Sequence, residues 1–137
     1  IVFPMLILFK IPLTIHLIWL PIILIGQTIL NLGFSLMISS INVFFRDLEY
    51  LISVGLMALY FMTPIMYNPD MLPKIVQKIL IICNPMTGYV ILYRDIMYYG
   101  VEPRYKLFAY SFALSIFILF LGYFTFQNLQ KKFAEIL

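Results

Sequence analysis

Residues 78–94 read KILIICNPMTGYVILYR, and this stretch decides how the chain as a whole can be folded. Lys78 and Arg94 enclose 15 uncharged residues, which would form a helix about 22 Å long. A hydrocarbon core about 30 Å thick needs roughly 20 helical residues. Asn84-Pro85 also interrupts the stretch, because proline disfavours the helical conformation of the residue before it. The stretch is therefore too short and too broken to cross a membrane as a single helix.

Two interpretations of this stretch remain open. It could be a surface loop with two amphipathic helices, or a re-entrant pair that enters the membrane from one side and returns. Ile79–Cys83 and Met86–Tyr93 are too apolar to lie fully in water, which favours the re-entrant pair. We place this pair at about 71–99, with the break between its helices at Asn84 and Pro85.

Three longer uncharged runs surround the broken stretch, with lengths of 35, 20 and 24 residues. Each is long enough for a membrane crossing. Helices are the expected form, because backbone groups in lipid must pair within the segment. The sequence thus predicts an all-α, polytopic transmembrane helix bundle over residues 1–137. Its predicted spans are at about 13–42, 49–67 and 106–128, and residues 1–10 read as the end of an earlier span.

The composition excludes several classes of protein. With 64% apolar residues, 11% charged residues and a mean hydropathy of +1.02, the chain cannot cover a water-soluble globule with charge. Cys83 and His16 are single, so the chain cannot build an internal disulfide or a multi-cysteine or histidine metal site. No phosphate-binding loop and no intramembrane carboxylate pair occur, which predicts no enzymatic activity and no cofactor. The cationic residues are too scattered for a nucleic-acid surface.

Signals for helix ends lie on both sides of the break. Asp70 is a candidate cap for a helix beginning near Met71, and Thr87 for the next helix. The second helix would run to Tyr99 and stop at Gly100. The chain also begins with Ile rather than Met, which suggests that an N-terminal portion is missing.

Two stripes run along the first predicted span. Gly26, Gly33 and Ser40 recur every seven residues, a pattern of small side chains that permits close helix packing in membranes. A polar stripe recurs every four residues on another face. Polar groups at this depth need hydrogen-bonding partners or water. Its members either bond to neighbouring helices or line a hydrophilic translocation path: Gln27, Asn31, Ser35 and Ser39.

Tyrosines are concentrated between residues 89 and 110. They fit an interfacial aromatic belt, and they also fit a surface on which sugar rings stack. Tyr89 and Tyr93 are the candidates for the translocation path. The short connection that follows the first span contains Arg46 and Asp47. Arg46 serves either as a topology charge at the membrane surface, or in a salt bridge or a contact with a cytoplasmic partner.

Several short segments, in this order, carry a resemblance to a known family. They are Asn42–Leu48 (NVFFRDL), Pro64–Tyr67 (PIMY), Asn84–Met86 (NPM), Tyr93–Asp95 (YRD) and Phe133–Leu137 (FAEIL). In this order the set resembles the second half of ABC-2 type permeases, specifically the exporters of polysaccharides such as O-antigen, capsule and teichoic acid. The similarity covers nearly the whole chain.

The resemblance implies a homodimeric permease that pairs with separate ABC ATPase subunits, so that ATP is bound by the partner and not by this chain. It places residues 68–105 on the outer side of the membrane as gate helices, and Arg46 and Asp47 on the cytoplasmic side. It further implies a multi-pass protein of a bacterial or archaeal plasma membrane, in contact with membrane lipids and with a lipid-linked glycan substrate.

The hypothesis from the sequence is a permease subunit of an ATP-driven exporter of lipid-linked cell-surface polysaccharide. Two alternatives remain open. One is an ABC-2 permease for a lipid or a drug, and the other is a small accessory membrane protein without transport activity.

Overall fold

The computed structural model describes residues 15–45 and 47–136, so the predicted earlier span at 1–10 lies outside the described residues. Five α-helices follow in order: α1 Leu20–Asn42, α2 Leu48–Met62, α3 Lys74–Cys83, α4 Pro85–Met97 and α5 Tyr105–Ile136. Short 3₁₀ helices at Ile15–Trp19 and Pro69–Met71 precede α1 and α3. The described part of the chain contains no strand. The predicted all-α fold is confirmed.

Within the described part of the chain, two helices are long and apolar enough to cross a membrane. They are the continuous helical segment Ile15–Asn42, with 28 residues, and Tyr105–Gln130, with 26 residues. They correspond to the predicted spans at 13–42 and 106–128. Few of the side chains on these two helices are buried in the isolated chain, 22% and 17% of their most apolar windows, as expected of surfaces that face lipid or other helices.

Helices α1 and α5 lie against each other along much of their lengths, and small residues make this approach possible. Gly26, Gly33 and Ser40 are all buried. A Cβ atom on Gly33 would lie 2.8 Å from the backbone carbon of Ile118, so the two backbones meet with no room for a side chain. The prediction that this stripe permits close packing is confirmed. Where a helix face carries only small residues, the two backbones come into contact and gain dispersion energy.

Helix α2 is shorter than predicted from the run at 49–67. It ends at Met62, and Thr63 has an extended backbone with ψ of 127°. The reason is Pro64, whose ring disfavours helix at Thr63. The predicted second span is therefore a 15-residue helix followed by the irregular segment 63–68, rather than one continuous helix.

The stretch at 78–94 does not run straight. Helices α3 and α4 are bent by 116° at their junction. Asn84 has an extended backbone, and its side-chain Oδ1 accepts a hydrogen bond from the backbone N–H of Met86 at 3.1 Å. The predicted break at Asn84 and Pro85 is where the two helices meet, because asparagine caps a helix whose first residue is proline.

The caps expected at Asp70 and Thr87 differ from those in the structure. Asn68 caps the 3₁₀ turn that contains Asp70, accepting from its backbone N–H at 3.1 Å, and α3 begins only at Lys74. Asn84 rather than Thr87 caps α4, which ends at Met97. Gly100 has φ of 61°, the left-handed conformation that glycine adopts without strain, and it turns the chain toward α5.

Candidate functional site

A cavity of about 430 Å³ lies between α1, α2 and the junction of α3 with α4. Its wall is mostly apolar, with polar atoms from a small number of side chains. Such cavities are typical of binding sites, in which apolar surface supplies affinity and isolated polar groups supply orientation. The polar and junction residues that line it are Gln27, Asn31, Tyr60, Thr63, Asn84 and Pro85.

Asn84 fixes the helix junction to the end of α2. Its side-chain Nδ2 donates to the Thr63 hydroxyl at 2.6 Å and contacts the Leu59 carbonyl oxygen at 3.3 Å. Thr63 in turn donates to the same Leu59 carbonyl at 2.7 Å. Asn84 is only 1% exposed, so its hydrogen bonds are made out of contact with water. The junction that the sequence identified as a break is thus also an anchor point.

Gln27 and Tyr93 are brought together from distant parts of the chain. The Tyr93 hydroxyl donates to the Gln27 side-chain oxygen at 2.6 Å, which links α4 to α1. This contact realises the interhelical hydrogen bonding that was one of the two interpretations of the polar stripe. Gln27 also lines the cavity, and its place in a translocation path stays a prediction.

The polar stripe divides along its length. Asn31 lines the cavity with Gln27, whereas Ser35 and Ser39 are exposed and lie outside the cavity lining. Ser39 donates to the carbonyl of Leu36 in its own helix at 3.2 Å. The half of the stripe nearer the junction therefore faces the cavity.

Tyr89 lies in the packed core and away from the cavity. It is 1% exposed, and its hydroxyl bonds with the Ser115 hydroxyl and the Ser111 carbonyl on α5. It also packs beside Gly26, where a Cβ atom would lie 2.7 Å from its hydroxyl oxygen. In this arrangement Tyr89 joins α4 to both long helices, and its ring is not available to a ligand.

The connection between α1 and α2 lies apart from the cavity. Asp47 is exposed and precedes the first residue of α2, where its negative charge and that of Glu49 suit the positive end of the helix dipole. Arg46 lies outside the described residues.

Arg94 has a role that the sequence reasoning missed. Its guanidinium group donates to the carbonyl oxygens of Pro64 at 2.8 Å, Tyr67 at 3.1 Å and Ile65 at 3.3 Å. These carbonyls belong to the irregular segment after α2, which has no helical partners for them. Non-helical backbone at membrane depth is tolerated where it is buried in protein or lines a water-filled cavity, and here Arg94 supplies donors for it. Two features of the sequence could have indicated this role. One is an arginine at the end of an apolar stretch, and the other is Pro64, which ends the second predicted span early.

A second arginine, Arg104, forms ion pairs where the helix pair leads into α5. Arg104 Nε lies 3.1 Å from a carboxylate oxygen of Asp95, whose side chain is 3% exposed, and Arg104 also approaches Asp70 at 3.5 Å. One cation therefore joins the start of the pair, its last turn and the segment leading into α5. The Asp95 pair is the shorter of the two, and its carboxylate is shielded from water.

Replacing Asn84 with alanine is expected to lower the free energy of unfolding by about 1–3 kcal/mol. The change removes the helix cap and both donors to the end of α2. Asn84→Asp keeps an oxygen for the cap but loses the donors, so an intermediate loss is expected. Thermal unfolding of the detergent-purified protein measures both. Asn128→Ala, on an exposed position of α5, is the control, and an equal loss there would contradict this role for Asn84.

Comparison with known proteins gives relatives of one kind. The chain is 36% identical over 118 residues to the O-antigen export system permease protein RfbA of Klebsiella pneumoniae, which covers 86% of this chain and 45% of that relative. It is 26% identical over 123 residues to the protein of the same name from Myxococcus xanthus, covering 89% of this chain and 47% of the relative. No family model and no solved structure matches.

The chain spans about half the length of these relatives. Its apolar helices and its relatives together make it a multi-pass membrane protein. Over 86% of its residues the chain is homologous to part of the O-antigen export permeases, in agreement with its resemblance to the polysaccharide-exporting ABC-2 permeases.

Proposed function

We propose that this chain is part of the membrane permease of an exporter of lipid-linked cell-surface polysaccharide. The observation that carries the proposal is the cavity in which Gln27 and Asn31 of a spanning helix meet the Asn84-Pro85 junction, in a chain homologous to O-antigen export permeases. Polar groups on one wall and a bent helix pair on another are what a gated path for a hydrophilic polymer requires.

The proposed path runs along α1 past the cavity, and the bent pair closes its end. We infer that α3 and α4 form a re-entrant pair, because a 116° bend returns the chain toward the side from which it came. Opening would then require the junction to move relative to α2, and Asn84 with its bonds to Thr63 and Leu59 holds the closed arrangement.

Energy for opening is proposed to come from separate ABC ATPase subunits, with ATP bound by the partner and no cofactor bound by this chain. Nucleotide binding would act by favouring one of two arrangements of the helices, which requires different contacts with the partner in the two states. We further propose that the permease acts as a homodimer in a bacterial or archaeal plasma membrane. It performs no covalent chemistry in this proposal.

Asn31→Leu is expected to reduce export of surface polysaccharide severalfold without loss of folded protein. The substitution removes a polar group from the cavity wall and introduces an apolar side chain of similar size, which a membrane helix accepts. Gln27→Leu is expected to reduce export too, and it also leaves the Tyr93 hydroxyl without its acceptor. The measurement is surface polysaccharide in cells that depend on the full-length gene and its ATPase.

Ser35→Leu supplies the comparison for these variants, because Ser35 lies one helical turn beyond Asn31 and outside the cavity lining. Export at the unsubstituted level is expected for it. Equal impairment by Ser35→Leu and Asn31→Leu would argue against the cavity as the path. Unchanged surface polysaccharide after deletion of the whole gene would instead favour a lipid or drug as the substrate.

A further inference from the structure

A second cavity, of about 550 Å³, opens beside the C-terminal end of α4. Its wall combines Arg94 with tyrosine rings and the side chain of Asn68. It shares no lining residue with the cavity at the helix junction. The two cavities are neighbours, because Tyr93 on the wall of this one donates to Gln27 in the other, but Arg94 belongs to this cavity alone.

Arg94 presents a positive charge at this cavity, and none of the ion pairs within the described residues involves it. Its three hydrogen bonds go to backbone carbonyls, which are neutral. Within the described residues no carboxylate lies within 4.0 Å of its guanidinium, and the neighbouring Asp95 is paired with Arg104 instead. Three bonds also leave two of the five guanidinium N–H donors unused. A bound anion would stabilise this half-buried cation, because hydrogen bonds between charged groups are stronger than those between neutral groups.

The surroundings favour an anion with several acceptor oxygens. Tyr99 accepts a hydrogen bond from Asn68 at 3.1 Å, so its own hydroxyl proton can be given to a ligand. Tyr98 brings a further hydroxyl group to the wall. Residues 68–106 carry five cationic side chains against three carboxylates, which makes this end of the molecule electropositive.

We propose that this cavity binds a phosphate group. A phosphate offers acceptor oxygens to the guanidinium and to tyrosine hydroxyls at once, and arginine is the side chain best suited to it. Met66 and Met97 at the wall provide apolar contact for whatever carries the phosphate. The carrier is either a sugar phosphate or the headgroup of a phospholipid. The site goes beyond the proposed function, since occupying it requires neither an ATPase nor transport.

The test is calorimetric titration of the full-length permease, purified in detergent without its ATPase. Glucose 1-phosphate is compared with glucose, and dihexanoyl phosphatidic acid with dihexanoylglycerol. At least one phosphate-bearing probe is expected to bind about tenfold or more tightly than its neutral partner. The probe that does so identifies the carrier. Equal binding of the charged and neutral probes in both pairs would overturn the proposal.

Variants at an exposed methionine locate the site without disturbing the bonds of Arg94. Met66 is 85% exposed and lines the cavity, and Met71 is 84% exposed and lies outside its lining. Met66→Glu is expected to weaken phosphate binding about tenfold, because its carboxylate competes for Arg94, and Met66→Lys to strengthen it. Met71→Glu is expected to bind like the unsubstituted protein. An equal loss in the two glutamate variants would refute this location.

The outcome is separable from that of the proposed function. Phosphate binding is measured on the purified protein, without export. Export is measured in cells with variants at Asn31, which lines the other cavity. A permease that binds phosphate here but exports no polysaccharide leaves the site standing and removes the transport proposal. A permease that exports polysaccharide but does not bind phosphate here would support the transport proposal and remove the phosphate site.

Discussion

Arg94→Gln is expected to destabilise the protein by roughly 3 kcal/mol or more. The guanidinium holds the carbonyls of Pro64, Ile65 and Tyr67, and each bond from a charged donor contributes about 1.5–3 kcal/mol. Glutamine cannot reach all three carbonyls. The backbone oxygens of the irregular segment after α2 would then lose the donors that Arg94 supplies.

Thermal unfolding in detergent and the yield of membrane-inserted protein both measure this loss. Arg94→Lys keeps the charge but replaces the planar guanidinium group, with its five N–H donors, by a single ammonium nitrogen. It is therefore expected to retain only part of the stability that Arg94→Gln loses. Lys106→Gln removes an exposed cation at the same end of the molecule and is expected to have little effect. If Arg94→Gln were as stable as Lys106→Gln, the carbonyl bonds would contribute nothing.

Alanine at Gly33 or Gly122 is expected to cost about 1–3 kcal/mol, although glycine to alanine normally favours a helix. A Cβ atom on Gly33 would lie 2.8 Å from the Leu119 backbone nitrogen, and one on Gly122 would overlap the Gly33 carbonyl oxygen. Backbone atoms cannot rotate away as side chains can. Helices α1 and α5 would have to separate, and both lose contact along their lengths.

Gly55→Ala is the control for this effect, because nothing lies within 4 Å of a Cβ atom at that position on α2. It is expected to leave stability unchanged or to raise it by up to about 1 kcal/mol. The double substitution at Gly33 and Gly122 should cost less than the sum of the two single ones, since both relieve the same contact. Stable single variants would mean that the helices do not approach this closely.

The way the polar residues are partnered explains why the candidate site was only partly predictable. Gln27 and Asn31 were identified because polar side chains are conspicuous in an uncharged run, and they do line a cavity. Ser35 has the same spacing and lies outside it. Periodicity assigns residues to a face of a helix, but it does not say where along that face the neighbouring element ends.

By itself the sequence determined what depends on local chemistry. Uncharged runs determined the class of protein, Asn84-Pro85 determined the break between α3 and α4, and the spacing of Gly26 and Gly33 determined which face of α1 could approach another helix. Each follows from residues within a few turns of one another, since hydropathy, proline sterics and helical periodicity act over that range.

Only the tertiary structure decided which partners the polar groups have. Arg94 bonds to carbonyls about 30 positions earlier in the chain, and Tyr93 bonds to a residue 66 positions away. Burial of Tyr89 against α5 and the bonds of Arg94 to backbone carbonyls depend on the same packing. The physical reason is that a hydrogen bond is directional and short, so a sequence shows which groups need a partner, whereas only three-dimensional proximity supplies it.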